Sequence, residues 1–389
     1  MFTRLMESLA ATEALSQVFS DAAVLEAMLD FEAALARAEA RVGVIPLDAA
    51  AAISSAAVAG GFDMAELVRL SLRAGTPAIP LVRMLRDRVP GDYVHWGATS
   101  QDVMDTALVL LLVRCRAVLE ADHERVMRGL RRLSDEHANT VMLGRTLLQP
   151  APPVTFGLKA AGWLGAIRRG WERVANRFDE AACLQFGGAS GTLAALGDRG
   201  IAVSEALAEE LKLQCPDAPW HGHRDRLAAL MAALSIYTAS LGKMALDIAL
   251  LMQFEVGEAA EPGGDGRGGS STMPHKHNPT ACMLAMAAAK RTPGLLSNFL
   301  SGMVGEHERG AGGWQSEWST VEGIVQAAGL AVESMAEVAE GLRVDAARMR
   351  CNIDATHGAV FSEKPGLREP ADYLGSAEHF RRRLLDGKG

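Results

Sequence analysis

The sequence lacks the cysteine pattern of a disulfide framework, because its five cysteines are widely spaced and none forms a CxxC motif. An odd number of scattered cysteines is typical of a protein kept in a reducing compartment. The sequence also lacks an excess of positive charge: 39 lysine and arginine residues stand against 47 aspartate and glutamate residues, a net charge of −8. This balance argues against nucleic acid as a partner, since binding to phosphates requires a basic surface.

Long hydrophobic runs and convincing β-alternating runs are missing as well. The longest apolar run, residues 107–113, is much shorter than the roughly 20 residues that span a bilayer. The N-terminal segment carries Glu7, Glu13 and Asp21 where a signal peptide has an apolar stretch. We therefore expect no membrane partner and a cytoplasmic location.

Helical periodicity is present along most of the chain and predicts an all-α fold. Ser20 is placed to cap a helix that Gly43 ends. From Asp102 the predicted helices become longer, and residues 102–139 contain no proline, which predicts a rod of about 50 Å. Further long helices are predicted over residues 153–184, 224–256, 279–303 (kinked at Pro293) and 314–342.

The predicted helix over residues 227–254 is apolar on almost every side. A helix without a polar face has to be surrounded by other helices. One chain has too few long helices to enclose several such rods, so we expect neighbouring subunits to supply the missing contacts. A large monomeric bundle is the alternative.

The segment that says most about function is the glycine-rich loop 257–278. It has six glycines between Gly257 and Gly269, which exclude a helix, and it ends in the sequence SSTMPHKHN. The hydroxyls, the lysine and the amide of this ending can hold a carboxylate and move a proton. Successive backbone N–H groups after Gly268 and Gly269 can also bind an anion. A plain linker is the alternative.

Three segments resemble the fumarase/aspartase superfamily. Residues 269–279 (GSSTMPHKHNP) resemble its signature G-S-S-x-M-P-x-K-x-N, and residues 95–106 (HWGATSQDVMDT) resemble its H-x-G-x-T-S-x-D region. Residues 144–157 (GRTLLQPAPPVTFG) resemble its G-R-T-H-x-Q-x-A-x-P-x-T-x-G region. Further residues near Trp96, Trp220 and Arg309 are most similar to the bacterial 3-carboxy-cis,cis-muconate cycloisomerase family.

The resemblance implies an all-α chain of three domains. These are an N-terminal helical domain (1–101), a central long-helix domain (102–344) and a short C-terminal helical domain (345–389). It also implies a homotetramer whose long helices form an intersubunit bundle, with each active site shared among three subunits. The implied activity closes a lactone ring on a muconate substrate without a cofactor.

The resemblance also assigns site residues. Ser270 matches the proton carrier, and Lys276 matches a catalytic cation that binds substrate carboxylates. The positions implied to bind substrate are His95, Thr99, Ser100, Gln101, Thr146, Leu147, Asn278 and Arg309. For each of these residues the alternative is a helix cap or an ordinary surface position.

Leu147 departs from the superfamily pattern, since fumarases, argininosuccinate lyases and adenylosuccinate lyases have histidine there. Eliminating water or an amine requires an acid for the leaving group. In lactonisation the nucleophile is a substrate carboxylate, which needs no base. The departure favours a cycloisomerase over an adenylosuccinate lyase-like C–N lyase. A 3-sulfomuconate cycloisomerase and a non-enzymatic scaffold remain as alternatives.

Two His-x-His pairs and a pair of tryptophans are interpreted as structural features and not as parts of a functional site. The pairs His221/His223 and His275/His277 lack an acidic ligand at a familiar spacing, so we expect no metal site. Trp314 and Trp318, four residues apart, are expected to pack together rather than to stack on substrate.

Overall fold

The computed structural model describes residues 5–263, 268–269, 272–273, 276–363, 366 and 369–387. The helices in chain order are α1 (Glu13–Val18), α2 (Asp21–Val42), α3 (Leu47–Ala56), α4 (Met64–Ala74), α5 (Ala78–Arg86), α6 (Ser100–Glu136), α7 (Phe156–Ala181), α8 (Gly200–Leu211), α9 (Asp225–Leu251), α10 (Thr280–Gly302), α11 (Gly313–Gly341), α12 (Ala346–Asp354) and α13 (Ala377–Asp386). The four strands of the described chain are β1 (Val141–Thr146), β2 (Gln149–Thr155), β3 (Ala259–Ala260) and β4 (Arg343–Val344).

The predicted all-α fold is confirmed, and so are the predicted long helices. Helix α2 begins where predicted, since the Ser20 hydroxyl accepts a hydrogen bond from the Ala23 N–H (3.3 Å). It ends at Gly43, whose φ of 78° is readily adopted by glycine. Helix α6 is 37 residues long, so the uninterrupted segment after Asp102 is one continuous rod.

The strands are the part of the fold that sequence periodicity did not indicate. Strands β1 and β2 form an antiparallel hairpin in which Thr146 pairs with Gln149, and β3 pairs with β4. Strand β2 contains Pro150, Pro152 and Pro153, and proline is unusual within strands because it cannot donate to the ladder. Contacts with the rest of the chain therefore outweigh the weak local preference of this segment.

The buried residues form two large clusters. One lies among the long helices α6, α7, α9, α10 and α11. The other joins α2, α3 and α5 to the first turns of α6, to residues near Phe186 and to α8. Helix α6 belongs to both clusters, so its beginning is packed on all sides and lies where the two cores meet.

The apolar helix predicted over residues 227–254 is α9. By length and composition α9 could cross a membrane, but 67% of its most apolar 18-residue window is buried inside the molecule, as in a core helix. Its exposed face still carries Ile236 and Leu246. The neighbours within the chain therefore cover most, but not all, of its apolar surface.

The ends of the long helices meet at two opposite places in the molecule. Arg224 and Trp314, at the beginnings of α9 and α11, both bond to Asp105 near the beginning of α6. Arg145, in the hairpin that follows α6, bonds to Glu258 after the end of α9. Helices α6, α9 and α11 therefore run in one direction, and α7 and α10 return between the two ends.

Helices α6 and α11 approach closely at Gly129. A Cβ atom built there would lie 2.7 Å from the carbonyl carbon and oxygen of Ala339. Glycine inside a helix is about 1 kcal/mol less favourable than alanine. A methyl group at Gly129 would overlap the backbone of Ala339. The close packing of α6 against α11 therefore outweighs the low helix propensity of glycine.

We expect Gly129→Ala to lower the melting temperature by several degrees, because the added methyl group forces the two helices apart. Gly162→Ala in α7 is the matched control, since no described atom lies within 4 Å of the position of its Cβ atom. That change should leave the melting temperature unchanged or raise it. Thermal unfolding of both variants tests the close approach, and an equal stabilisation in both would contradict it.

Candidate functional site

The predicted site residues lie at opposite ends of α6. His95, Thr99, Ser100 and Gln101 are at its beginning, and Arg309, in the loop before α11, bonds to Thr99. The hairpin with Thr146 and Leu147 follows the other end of α6, where the glycine-rich loop with Lys276 and Asn278 leads into α10. At 1.5 Å per residue, the 37 residues of α6 separate the two groups by about 55 Å. One chain therefore does not bring all the predicted residues together.

Arg309 is the most informative residue at the beginning of α6. Its guanidinium donates to the Thr99 hydroxyl (3.0 Å) and to the carbonyl oxygens of Ala189 (3.1 Å) and Gly188 (3.4 Å). Its Nε atom is buried and has no partner in the described chain. All three acceptors are neutral, so none compensates its charge. A cation held in this way beside a helix N-terminus indicates a binding site for an anion.

Asp102 holds the first turn of α6 in place. Its Oδ2 accepts hydrogen bonds from the N–H groups of Thr99 and Gly188, both at 2.9 Å. Its Oδ1 accepts the Gly187 N–H (3.0 Å) and lies 2.6 Å from Nε2 of His221. Sequence reasoning named Thr99 but not Asp102 as a site residue. The available signal was its position as the third residue of a helix capped by threonine.

Asp105, one turn further along α6, is the centre of a buried network. It accepts two hydrogen bonds from Arg224 (2.7 and 3.0 Å) and one from the Trp314 indole (2.9 Å). Arg224 also donates to Glu317 (2.6 Å). Burial raises the pKa of Glu317, and Arg224 opposes that rise. The network fixes the beginnings of three long helices against each other.

Gln101 and Trp314, which sequence analysis singled out, both belong to this network. The Gln101 side chain is buried and donates to Asp105 (3.1 Å) and to the His221 carbonyl (3.1 Å). Its amide nitrogen is therefore bonded within the buried network. Trp314 and Trp318 pack edge to face with ring centroids 5.0 Å apart, as predicted.

His95 is bound to an acid that sequence reasoning missed. Its Nδ1 lies 2.6 Å from Oε1 of Glu32 in α2. Burial by itself lowers the pKa of His95, but the charge and hydrogen bond of Glu32 outweigh burial and raise it. Glu32 lies 63 residues earlier in the chain, so no local pattern links the two. The only signal was an acid on the apolar face of α2.

The hairpin turn at the other end of α6 has an unusual conformation. Leu147 and Leu148 form its two-residue loop and have φ values of 51° and 67°. Such turns usually contain asparagine and glycine, since the left-handed conformation costs other residues roughly 1–2 kcal/mol each. Their side chains are 95% and 76% exposed. Strain combined with exposed apolar side chains indicates a segment that contacts a ligand or another molecule.

The glycine-rich loop carries the remaining predicted residues. Ser270 lies outside the described residues, as does His275. The Asn278 N–H donates to the Gly268 carbonyl (2.7 Å), and Lys276 is exposed. Gly268 has a φ of 69°, and a Cβ atom there would lie 2.7 Å from the Asn278 carbonyl oxygen, so this position requires glycine.

Acidic side chains anchor both ends of this loop. The Glu258 carboxylate is buried and bound to the Arg145 guanidinium (2.7 and 2.8 Å) and to Asn352 (2.8 Å). The Glu261 carboxylate accepts the N–H groups of Ala281 (3.1 Å) and Cys282 (2.7 Å) in the first turn of α10. The loop is therefore held at fixed points on either side of the signature segment.

The two His-x-His pairs supply no metal-ligand cluster among the described residues. There, no three histidine, cysteine, aspartate or glutamate side chains are grouped closely enough to hold a metal ion. His221 instead takes part in the hydrogen bonding of Asp102.

Comparisons with known proteins agree with one another. The family model described as lyase matches residues 6–294. The 3-carboxy-cis,cis-muconate cycloisomerase of Bradyrhizobium diazoefficiens is 48% identical over 365 residues, which cover 92% of this chain and 81% of the relative. The enzyme of the same name from Pseudomonas aeruginosa is 50% identical over 352 residues, 89% of this chain and 77% of the relative.

A solved structure gives the same result for the fold. The crystal structure of the 3-carboxy-cis,cis-muconate lactonizing enzyme from Pseudomonas putida matches this structure with a TM-score of 0.92 and 40% sequence identity. The match covers 98% of each chain. The fold of this chain therefore matches that of the lactonizing enzyme over nearly the whole of both chains.

Proposed function

Since the chain belongs to the lyase family of the fumarase/aspartase superfamily, we propose that it closes 3-carboxy-cis,cis-muconate to 4-carboxymuconolactone. The observation that carries the proposal is the Arg309 guanidinium at the beginning of α6, whose hydrogen-bond acceptors among the described residues are all neutral. Such a cation suits a substrate carboxylate, and this muconate carries three. The relatives that bear the cycloisomerase name support this choice of substrate.

The proposed reaction is a reversed β-elimination within one molecule. A carboxylate at one end of the bent diene attacks the carbon that bears the third carboxyl group, and a C–O bond closes the five-membered ring. The electron pair of the double bond moves to the carbon next to the distal carboxylate. Ser270 delivers a proton to that carbon. No electrons are gained or lost overall, so the chemistry requires no redox cofactor.

Lys276 and Asn278 are proposed to bind the distal carboxylate and to stabilise the charge that develops on it. Such preorganised donors are typically worth about 3 kcal/mol each in the transition state. Thr99, Ser100 and Arg309 are proposed to bind the other carboxylates. Thr146 and Leu147 are proposed to close the site from the hairpin, where an apolar side chain keeps water away from the attacking carboxylate.

We propose a homotetramer whose active sites are each shared among three subunits. The support is the distance of about 55 Å between the two groups of site residues in one chain. The apolar side chains exposed on α9 and on the hairpin turn are suited to contacts between subunits. A cytoplasmic location and the division into residues 1–101, 102–344 and 345–389 belong to the same proposal.

The activity itself is tested by incubating the purified protein with 3-carboxy- and 3-sulfo-cis,cis-muconate and following the loss of diene absorbance. We expect turnover of the carboxylate substrate and a loss of about 10²–10⁴ in rate for Ser270→Ala, since an obligatory proton donor is removed. Ser271→Ala is the matched control and should stay active. Activity of Ser270→Ala within about tenfold of wild type would remove Ser270 from this role.

Two further outcomes would change the assignment. Faster turnover of the sulfonate would identify the 3-sulfomuconate activity. Cleavage of adenylosuccinate, with neither muconate consumed, would support the C–N lyase.

Sharing of the site is tested by complementation between two inactive variants. Ser270→Ala removes a group from one end of the bundle, and Arg309→Gln removes a group from the other. Co-expressed chains should form mixed tetramers in which some sites contain both intact ends, so activity should reappear. Each variant refolded alone is the control. An active monomer in light scattering, or no recovery in verified mixed oligomers, would contradict the shared site.

Substitutions of Leu147 test whether a carboxylate of the substrate itself is the nucleophile of the ring closure. Leu147→His should impair lactonisation, because an imidazole brings water and, when protonated, binds the attacking carboxylate. Leu147→Trp should retain activity toward the 3-carboxy substrate and should mainly affect bulkier 3-substituents. Leu148→His is the control for the turn, and histidine tolerates its conformation better than leucine does. If kcat/KM of Leu147→His equals or exceeds that of wild type, the argument fails.

A further inference from the structure

We propose that Glu32 is a positioning residue of this active site, whose buried carboxylate orients His95 for binding a substrate carboxylate. The inference rests on the proposed function, because it assigns His95 to the carboxylate-binding end of the site. It adds to the site a residue of α2 that belongs to none of the three segments resembling the superfamily.

The Glu32 carboxylate lies in an environment that favours an ion pair with His95. Its side chain is fully buried within α2, and its Oε1 lies 2.6 Å from Nδ1 of His95. Its Oε2 is buried and has no partner in the described chain. A buried carboxylate is unfavourable unless an opposite charge compensates it. His95 is the partner that the structure provides, so the contact is best satisfied when the imidazole is charged.

His95 has an unusual backbone conformation. Its φ is 62°, a value that non-glycine residues rarely adopt, and Gly97 two residues later has a φ of 70°. The contact with Glu32 uses Nδ1, which leaves Nε2 as the ring nitrogen that can bind a ligand. His95 comes four residues before Thr99, which accepts a hydrogen bond from Arg309. The beginning of α6 therefore combines the His95 imidazole with the Arg309 guanidinium for a substrate with three carboxylates.

Charged groups from three helices surround His95. Glu32 from α2 and Asp102 from α6 favour the charged imidazole, whereas burial and Arg86 from α5 disfavour it. The balance raises the pKa of His95. Without the Glu32 charge, burial would lower this pKa, and the imidazole would become neutral at a lower pH. As the pH is raised, the substrate affinity of such a variant should therefore begin to fall at a lower pH than that of wild type.

Helix α2 also offers a matched control. Glu39 lies two turns after Glu32 and is buried as well, and neither of its carboxylate oxygens has a partner among the described residues. Burial, and then the charge of Glu32, raise the pKa of Glu39 to about 9. Glu39 is therefore neutral at pH 7. Glu39→Gln replaces a neutral acid by an amide of the same shape, whereas Glu32→Gln removes a charge.

The experiment compares Glu32→Gln, Glu39→Gln, His95→Gln and the Glu32→Gln/His95→Gln double variant in the assembled protein. Histidine labelled with ¹³C gives the pKa of His95 by NMR, and the His95→Gln spectrum identifies its signal among the ten histidines. We expect Glu32→Gln to lower the pKa of His95 by about one unit or more. Glu39→Gln should leave it unchanged.

Steady-state kinetics provide the second measurement. Glu32→Gln should lower kcat/KM for the muconate about tenfold or more, mainly by raising KM, and should move the alkaline limb of the pH profile to lower pH. Because Glu32 acts through His95, the double variant should be no worse than His95→Gln alone. Glu32→Asp, which keeps the charge on a shorter side chain, should retain the raised pKa of His95 but not the full substrate affinity.

An unchanged His95 pKa in folded Glu32→Gln would overturn the proposal. The proposal would also be overturned if the losses in kcat/KM of Glu32→Gln and His95→Gln added fully in the double variant. If Glu32→Gln does not fold, the Glu32→Asp comparison decides, and a KM equal to wild type there would refute the positioning role. The NMR measurement needs no substrate. A protein that shows the pKa shift but consumes no muconate would therefore refute the proposed function and leave the Glu32–His95 pairing intact.

Discussion

Two buried carboxylates near the beginning of α6 connect the parts of the structure that form the candidate site. Asp102 accepts hydrogen bonds from the capping residue Thr99 and from the loop at Gly187 and Gly188. Asp105 binds Arg224, at the beginning of α9. Breaking a buried ion pair by removing one partner typically costs about 3–5 kcal/mol, so these contacts strongly constrain the geometry.

The length of α6 has the largest consequence for function. Its beginning carries Thr99 with Arg309, and its far end leads into the hairpin with Leu147. A rigid helix of 37 residues keeps these groups apart in every conformation of the folded chain. The chemistry proposed for the protein therefore requires several copies to pack together, and the same long helices that separate the groups are proposed to provide the surface for that packing.

Some of the backbone strain lies at the proposed substrate contacts. His95, Leu147 and Leu148 all have positive φ values although none is glycine. Such conformations persist only where surrounding contacts determine them. For His95 the contact is Glu32, whereas the exposed Leu147 and Leu148 obtain no comparable support from the described part of their own chain. This difference distinguishes the His95 end of the proposed site, which contacts within one chain support, from the hairpin turn, for which we propose a contact with another subunit.

The sequence by itself determined the helices and the chemistry-bearing segments. Ser20 and Gly43 define α2 because capping and termination are local effects, and the signature near Lys276 is recognisable because its residues are consecutive. The tertiary structure decided which groups meet. Glu32 reaches His95 and Arg309 reaches Thr99 across 63 and 210 residues, which no local pattern encodes. The β1–β2 hairpin likewise forms against the weak strand preference of its prolines, because backbone pairing and burial are properties of the folded chain.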